Sequence, residues 1–433
     1  MTLSTGTRLS GDVLVYPGIE NRLVVDGDND EDAVLYRTRG GYRPLTDATA
    51  FLADVSAAGV RGRGGATFPA AVKLSTVRAA TGGSVVVANG EEGEPSSVKD
   101  RWLMRHRPHL VLDGLRLAAQ VVGTTSAVVY LSDDLAARRI ESALTELSND
   151  TVFDLQVRIV KVSPTYVAGE ETAAVRAING GPALPTDKPP RPFEAGVDGV
   201  PTLINNVETL AHLALVHRLG VDGYRSVGTE SSTGTFLMTL TTAAGAALYE
   251  VPFGVTLRDV LTWSGTDTDT VTGFLVGGYF AGVIGPHALD LPLDYDAYAA
   301  AGAGLGCGAM VVLDTDMCPV ATSAAVMTYF SRENAAQCGS CFNGTSAMAN
   351  VLESLRDAVA DEAEVDRLKY WSTFLRGRGA CGTLDGATNV AASLLREFPD
   401  VVDAHLRGAC VRCADGHFPA YPPHGVQYAA DHT

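Results

Sequence analysis

The stretch SVVVANGEEGEPSSVKD, residues 84–100, joins an apolar strand to a loop of glycines and carboxylates. Its first part is a short run of β-branched residues, which is typical of a buried strand in a parallel sheet. Polar side chains then follow, namely Asn89, Glu91, Glu92 and Glu94. Because ligands of open α/β sheets bind at the carboxyl ends of the strands, we expect a binding site directly after this strand.

The alternation of strand and helix continues along the chain. Apolar runs at residues 126–132 and 155–162 predict two more strands, and helical periodicity predicts helices at residues 102–122 and 134–149. Short strands that lie one helix apart favour a mostly parallel sheet. We therefore predict an α/β fold for the first half of the chain.

Three more segments share the composition of the first loop: GVRGRGGATFP (residues 59–69), YVAGEETAA (residues 166–174) and PTLINNVETL (residues 201–210). Glycines let backbone N–H groups approach a phosphate, carboxylates accept hydrogen bonds from ribose hydroxyls, and asparagines offer a donor and an acceptor to a heterocycle. The four segments together predict a pocket for a flat, phosphorylated ligand. Three of these segments also have a purely structural interpretation: the glycine loop as a tight turn, the acidic loop as a solvated loop, and the paired asparagines as a helix cap.

The second half of the chain has a different character. Short strands around one helical pattern between residues 235 and 284 predict a small β-grasp module, and amphipathic helical runs follow Cys318 almost to the end. The predicted division is 1–228 for the α/β domain, 229–316 for the β-grasp module, 317–407 for a helical bundle and 408–433 for a tail.

Composition limits the function classes. The chain has 433 residues and a net charge of −17, and this charge disfavours a nucleic-acid partner because a polyanion would be repelled. The apolar stretches are too short or too interrupted for a membrane span, and the amino terminus lacks the pattern of a secretory signal. We expect a cytoplasmic protein without direct membrane insertion.

All seven cysteines lie in the last third of the chain: Cys307, Cys318, Cys338, Cys341, Cys381, Cys410 and Cys413. In a reducing compartment such residues are metal ligands or buried apolar thiols. This asymmetry predicts a metal centre in the helical bundle.

With these motifs in this order, the chain resembles the flavin-carrying, NADH-oxidising subunit of respiratory NADH dehydrogenase (complex I) and its relatives in soluble hydrogenases and formate dehydrogenases. The resemblance runs from RGRGGA through the acidic loop, GEETA and NNVET to the cysteine-bearing helices. It implies a Rossmann-like domain that binds FMN and NAD(P)H, an SLBB-like β-grasp module, and a bundle that holds an iron–sulfur cluster.

The resemblance also implies site residues. The flavin would be bound by Gly62, Arg63, Gly64, Gly65, Lys73, Asn89, Glu91, Tyr166, Gly169, Glu170, Asn205 and Asn206. Glu92 is a further cofactor-binding candidate. The nicotinamide nucleotide would be bound by Glu94, Glu171 and Lys188. The cluster would be bound by Cys338, Cys341 and Cys381.

The implied activity is that of an FMN-dependent NAD(P)H dehydrogenase. Electrons would pass from the flavin through the cluster to a ferredoxin or a small 2Fe–2S subunit. The alternative is a non-catalytic or electron-relay homologue that binds flavin without oxidising NAD(P)H.

The chain departs from the family pattern at the cluster. The family motif is C-x-x-C-x-x-C with a distant fourth cysteine, and here the first position is Ala335. Three thiolates do not saturate a four-iron cluster, so another group fills the corner, a 3Fe–4S form replaces 4Fe–4S, or no cluster assembles. Candidates for the missing ligand are Cys318, Cys410 and Cys413. Alternatively, Cys410 and Cys413 form a zinc site with His417 and His424.

The nucleotide side departs as well. The family usually has an aromatic residue after K-P-P, where this chain has Arg191, and a glycine where this chain has Thr67. Arg191 could stack on adenine or pair with a 2′-phosphate. The choice between NADH and NADPH therefore stays open.

Overall fold

Ten strands, fifteen α-helices and three short 3₁₀ helices form the part of the chain that the computed structural model describes, residues 13–25 and 31–413. The strands are β1 (Leu14–Val15), β2 (Val85–Asn89), β3 (Ser126–Leu131), β4 (Gln156–Lys161), β5 (Thr202–Asn206), β6 (Thr235–Thr242), β7 (Gly245–Pro252), β8 (Val271–Val276), β9 (Val283–Ile284) and β10 (Ala309–Asp314). The helices are α1 (Ala33–Thr38), α2 (Ala48–Ala58), α3 (Ala70–Arg78), α4 (Lys99–His106), α5 (Pro108–Val122), α6 (Asp134–Glu146), α7 (Glu171–Ile178), α8 (Val207–Arg225), α9 (Leu257–Trp263), α10 (Tyr295–Ala300), α11 (Pro319–Glu333), α12 (Gly339–Arg356), α13 (Glu362–Phe374), α14 (Thr383–Glu397) and α15 (Pro399–Leu406).

The first half of the chain contains a four-stranded, fully parallel sheet in the order β4–β3–β2–β5. Its central strand β2 is almost wholly buried, as its β-branched sequence predicts. Helices cross between successive strands, and α5 and α8 pack against each other in the core. The predicted strands and their parallel arrangement are confirmed.

One predicted helix is two helices. The pattern at residues 102–122 divides into α4 and α5 at Arg107, and Pro108 is the first residue of α5. Proline lacks the N–H that would continue the α4 ladder, but it is well suited to start a helix. The Arg107 guanidinium is buried and pairs with Glu31 at 2.9 Å, so the break also places a cation in the core.

The second sheet has six strands in the order β1–β7–β6–β10–β8–β9. β6 and β7 form an antiparallel hairpin, β10 runs parallel to β6, and β8 runs antiparallel to β10. Helix α9 starts with a capping box between Thr256 and Asp259. The three strands and the helix that the sequence predicts in this region are present, whereas β1, β9 and β10 were not predicted.

Five helices, α11 to α15, follow the second sheet. Their apolar faces, including Met327, Phe330, Leu352 and Leu394, form one continuous core. The predicted helical runs are confirmed with shifted ends, and α15 was missed because its eight residues directly follow α14. Among the described helices, none has both the length and the hydropathy of a membrane span.

Candidate functional site at the sheet edge and the cysteine helices

The carboxyl edge of the parallel sheet brings three asparagines together. β2 and β5 pair in register, so that Ala88 lies opposite Asn205 and Asn89 lies opposite Asn206. The glycine loop of residues 61–67 lies against this edge, since a Cβ added at Gly64 would come within 3.1 Å of Asn206 Cβ. The sequence-distant segments therefore meet where the parallel fold predicts a ligand site.

The glycine loop is held by its backbone. Gly62 N–H donates to the carbonyl of Phe68 at 2.9 Å, and Arg63 N–H donates to Thr209 Oγ1 at 2.9 Å. Gly65 has a φ of +109°, and a Cβ placed there would meet nothing within 4 Å. The backbone conformation therefore requires glycine, and open space lies in front of it. Thr67 also has a positive φ, of +52°.

The Arg63 side chain leaves the loop and enters the protein interior. Its guanidinium donates to Tyr295 Oη at 3.1 Å and to the carbonyl of Thr233 at 3.2 Å, and it lies 4.6 Å from the ring centroid of Phe253. These contacts join the glycine loop to the second sheet. Only the backbone of Arg63 borders the sheet edge.

Lys73 supplies a positive charge beside the edge. It lies on α3, and its Nζ donates to the carbonyl of Ile204 at 3.2 Å. Burial lowers its pKa, and nearby Glu171 opposes this shift. A partly buried ammonium with one carbonyl partner has donors left for an anion.

Two buried polar groups at the edge have no hydrogen-bond partner of normal geometry among the described residues. They are both carboxyl oxygens of Glu91 and the Nδ2 atom of Asn205. Glu91 is 6% exposed, and burial raises the pKa of its carboxyl to about 7, a shift that the nearby Ser132 hydroxyl partly opposes. Buried polar groups are satisfied in nearly all native proteins, so these atoms are available for hydrogen bonds to a ligand.

The loops around Glu91 require glycine at two positions, because the backbones of neighbouring segments come too close there to leave room for a Cβ atom. A Cβ at Gly93 would come within 2.6 Å of the Tyr166 carbonyl, and a Cβ at Gly169 would come within 2.8 Å of the Glu91 carbonyl. Asn89 links the same loops, since its Nδ2 donates to the Gly169 carbonyl at 2.8 Å. This packing fixes the position of Glu91 relative to the sheet edge.

Two of the predicted glutamates have structural partners. Glu92 caps α4, accepting from Ser97 Oγ at 2.6 Å and pairing with Arg101 Nε at 3.1 Å. Glu94 accepts from the Tyr279 N–H at 2.9 Å and from Ser96 Oγ at 3.1 Å. Burial raises the pKa of the Glu94 carboxyl to about 7, although these hydrogen bonds act to lower it.

A second acidic pair surrounds Lys188. Glu170 caps the first turn of α7 and accepts from Lys188 Nζ at 2.6 Å. Glu171 lies 3.2 Å from the same Nζ and 3.9 Å from Arg191 Nη1. Lys188 and Arg191 therefore form a small cationic cluster next to two carboxylates.

A buried ion network beneath Asn206 was not singled out in the sequence. Lys99 Nζ lies 2.7 Å from Asp100 and 3.0 Å from Glu208, and Asn206 Nδ2 donates to Asp100 at 2.6 Å. Although burial acts to raise it, Lys99 and then His212 lower the pKa of Glu208 to about 2. The consecutive Lys-Asp pair that ends the acidic loop was the available signal.

Tyr166 connects the sheet edge to the helices. Its ring packs edge-on against Tyr329 and Phe330 of α11, with centroid distances of 5.8 and 5.2 Å. Burial raises its pKa well above the usual value, with smaller contributions from Glu94 and Cys381. Tyr166 thus lies between the acidic loop and the cysteines.

Three cysteines line one cavity of about 490 Å³. Cys338 precedes α12, Cys341 lies in its first turn, and Cys381 precedes α14. The Ala380 N–H lies 3.5 Å from Cys338 Sγ. The other lining residues are Arg176, Pro185, Thr186, Asp187, Ala335, Ala336, Gln337, Gly379 and Ala380.

Comparison with known proteins identifies the family. Residues 55–215 match the Nuo51 FMN-binding domain, and residues 321–405 match the NADH-ubiquinone oxidoreductase-F iron–sulfur binding region. The chain is 32% identical to the F 2 subunit of NADH-quinone oxidoreductase from Rhizobium meliloti (strain 1021), over 86% of this chain and 93% of that protein. The chain belongs to the Nuo51 family.

The chain is also similar to a hydrogenase subunit in sequence and to a solved hydrogenase structure. NADP-reducing hydrogenase subunit HndC of Solidesulfovibrio fructosivorans is 29% identical over 88% of this chain and 81% of its own length. A chain of the NAD⁺-reducing NiFe-hydrogenase in the air-oxidized state is 31% identical with a TM-score of 0.76, over 83% of this chain. The present chain spans 63% of that hydrogenase chain.

Membership of the Nuo51 family establishes FMN and an iron–sulfur cluster as the cofactors and NAD(P)H oxidoreductase as the enzyme class. These predictions are confirmed. The residues of this chain fit both cofactors. Buried polar atoms without a hydrogen bond of normal geometry border the sheet edge, where FMN would bind, and three thiols line a cavity that could hold the cluster.

The structure does not bring Cys318, Cys410 or Cys413, the candidates for the missing cluster ligand, to the cysteine cavity. Cys318 precedes α11, whereas Cys338 follows its other end, and a helix of 15 residues is about 22 Å long. Cys318 instead converges with Cys410 and Cys413. The alternative with His417 and His424 lies outside the described residues.

Proposed function

We propose that the chain is a diaphorase-type, FMN-dependent NAD(P)H dehydrogenase subunit that passes electrons through an iron–sulfur cluster to a ferredoxin or a small 2Fe–2S subunit. The observation that carries the proposal is that buried atoms of Glu91 and Asn205 at the sheet edge make no hydrogen bond of normal geometry with a described residue. FMN, when bound, accepts a hydride and releases single electrons.

The flavin phosphate would bind at the glycine loop. Gly64 and Gly65 leave the backbone accessible, and Lys73 provides the nearby positive charge. Gly62 completes the turn, and Arg63 anchors it from behind. A single cationic group next to open backbone suits the terminal phosphate of a mononucleotide.

The flavin ring would bind between the asparagines and the acidic loop. Glu91 and Asn205 offer unsatisfied atoms, while Asn89, Asn206 and Gly169 hold the surrounding loops. Tyr166 borders the site on the side of α11, and Glu170 borders it at the start of α7. Glu92 would act through α4, because its carboxylate caps that helix.

The dinucleotide would bind beside Glu94, Glu171 and Lys188. The carboxylates of Glu170 and Glu171 leave Lys188 paired, so a nucleotide phosphate has to compete with them. Arg191 has a side chain that is 56% exposed, which leaves it accessible to adenine or to a 2′-phosphate. Holding the nicotinamide close to the flavin is the main task of these residues.

The cluster would be bound by Cys338, Cys341 and Cys381, as a 3Fe–4S centre or as a 4Fe–4S centre with a different fourth ligand. Ala335 lines the cavity where the family motif has cysteine. Asp187 is the one carboxylate among the described lining residues and is the candidate oxygen ligand. Tyr166 packs against Phe330 of α11 and interacts electrostatically with both Glu94 and Cys381, which suits short-range electron transfer.

We also retain the domain division made from the sequence: a Rossmann-like domain at 1–228, an SLBB-like β-grasp module at 229–316, an iron–sulfur bundle at 317–407 and a tail at 408–433. The six-stranded sheet around α9 supports the middle assignment. A cytoplasmic location and a carrier protein as electron partner complete the proposal.

One observation favours the alternative of a relay homologue that does not oxidise NAD(P)H. Glu94, expected to contact the nicotinamide nucleotide, is bonded to the Tyr279 N–H of the neighbouring module. In the relay case NADH and NADPH would both fail to bleach bound flavin. In the dehydrogenase case at least one of them would bleach it.

The cluster assignment is tested by Cys341→Ser in the full chain purified anaerobically. We expect three or four irons per chain in the wild type, and loss of the iron and of its paramagnetic signal in the variant. Cys307→Ser is the matched control, because Cys307 lies outside the cavity. Iron-free wild-type protein would contradict the assignment.

A further inference from the structure

A second thiol group lies apart from the cysteine cavity. Cys318, His405, Cys410 and Cys413 place one ligand atom each within 4.8 Å of all the others. Cys318 Sγ lies 3.2 Å from His405 Nε2. We propose that these four residues bind a single zinc ion, independently of the flavin and of the iron–sulfur cluster.

Chain segments that are distant in sequence build this group. Cys318 precedes the first turn of α11, and His405 lies in the last turn of α15. Cys410 and Cys413 belong to a short 3₁₀ turn, closed by the Cys413 N–H donating to the Cys410 carbonyl at 3.2 Å. Arg412 Nε donates to the Thr315 carbonyl at 2.8 Å, which holds this turn beside Cys318.

The spacing suits one metal ion. A tetrahedral zinc with Zn–S bonds of ~2.3 Å needs sulfur atoms about 3.8 Å apart. The observed limit of 4.8 Å leaves only a small contraction on binding. A binuclear iron–sulfur core distributes its ligands over two irons and needs a wider group. Three thiolates and one imidazole are a common structural zinc set.

The surroundings suit a bound cation with thiolate ligands. His405 is 1% exposed, and its Nδ1 makes no hydrogen bond of normal geometry with a described residue. The backbones of Leu355 and Arg356 lie close to this ring. A metal-bound histidine usually donates its second ring N–H to a neighbouring acceptor such as a backbone carbonyl. The Arg356 guanidinium also lies close enough to Cys413 to interact with its sulfur electrostatically.

The two thiol groups lie at opposite ends of α11. The cavity group follows the carboxyl end of the helix, and the Cys318 group precedes its amino end, about 22 Å away. Zinc would therefore tie the turn after α15 to the start of α11 without contacting the cluster. The expected role is structural.

Metal analysis of the anaerobically purified full chain tests the proposal. We expect one zinc per chain in the wild type and in Cys341→Ser, which loses iron only. Cys318→Ser and Cys410→Ser should lose most of the zinc and keep the iron. Cys307→Ser should keep both metals. Wild-type protein without zinc, or zinc lost from Cys341→Ser, would overturn the proposal.

Cobalt substitution covers the case in which the serine variants do not fold. Wild-type protein stripped with a chelator is given Co²⁺ alone. We expect the visible bands of tetrahedral cobalt together with a thiolate-to-cobalt charge-transfer band, and stoichiometric zinc should remove both. An octahedral spectrum, or the absence of cobalt binding, would overturn the proposal.

Discussion

Glu91 and Glu94 belong to one loop, and burial raises the pKa of both carboxyls to about 7. Their partners differ. Glu94 accepts from the Tyr279 N–H and from Ser96, whereas both oxygens of Glu91 lack a hydrogen bond of normal geometry with any described residue. An unsatisfied buried polar group costs about 1–3 kcal/mol. The proposed flavin side of the site thus has buried polar atoms available to a ligand, whereas Glu94 on the proposed nicotinamide side is bonded to the protein itself.

The lysines show the same difference. Lys73 donates to one backbone carbonyl, whereas Lys188 pairs with both Glu170 and Glu171. A phosphate at the glycine loop gains an available cation. A nucleotide phosphate at Lys188 would have to displace these carboxylates, so we expect dinucleotide binding to be weaker and more sensitive to substitution than flavin binding.

The largest effect is expected for Gly65→Val, which should abolish FMN binding. The positive φ disfavours valine by about 1–2 kcal/mol, and the branched side chain fills the space in front of the loop. Flavin released from the denatured protein is the measurement. Gly82→Val is the matched control, since Gly82 also has a positive φ and open space but precedes β2 at the opposite end of the strand. Equal flavin loss in both variants would show that strain alone is responsible.

A smaller effect concerns stability against pH in flavin-free protein. The raised pKa of Glu94 means that its carboxyl ionises near 4.5 in the unfolded chain and near 7 in the folded one. The contribution of the Glu94 carboxyl to the free energy of unfolding is therefore fully present below pH 4.5 and is lost as the pH rises to about 7. Between pH 5 and pH 8, wild type should lose about 2–3 kcal/mol more than Glu94→Gln in denaturant unfolding. If the free energies of unfolding of wild type and of Glu94→Gln changed with pH in the same way, Glu94 would not be a neutral, buried carboxyl.

Kinetics separate the two carboxyls more directly. Glu94→Gln should slow flavin reduction by NAD(P)H by up to about tenfold and leave FMN content intact, because a hydrogen bond to the nucleotide is worth about 0.5–1.5 kcal/mol. Glu91→Gln should weaken FMN affinity by a similar factor. Stopped-flow bleaching and flavin titration are the measurements. Reduced flavin content in Glu94→Gln would remove the distinction between the two sides.

The smallest effect is expected for Arg191→Ala. If Arg191 pairs with a 2′-phosphate, NADPH should lose several-fold more than NADH in apparent affinity, which corresponds to about 1 kcal/mol for an exposed charge pair. If the guanidinium stacks on adenine, both coenzymes lose equally. Unchanged affinity for both coenzymes would exclude Arg191 from the site.

Features that depend on a short stretch of sequence were predicted correctly. Strand β2 is evident from its β-branched run, and the resemblance to the family motif singled out the three cysteines that line the cavity. The break at Pro108 was missed because the apolar periodicity continues across it. The Arg63 side chain was expected at the flavin, but its partners Tyr295 and Thr233 are remote in sequence.

The proposed zinc site of Cys318, His405, Cys410 and Cys413 could not be predicted from the spacing of residues in the sequence. His405 is separated from Cys318 by 87 positions and is a single histidine on a short helix. No local pattern distinguishes it from an ordinary surface residue. Only the packing of the helices brings it to the start of α11.

The most direct test of the central claim is an anaerobic titration of the full chain with NADH and with NADPH, followed by visible absorbance and electron paramagnetic resonance. The account predicts that one coenzyme bleaches bound FMN and that the cluster absorbance and its paramagnetic signal then change. Flavin that stays oxidised with both coenzymes, but is bleached by dithionite, would contradict the dehydrogenase function and support the relay alternative.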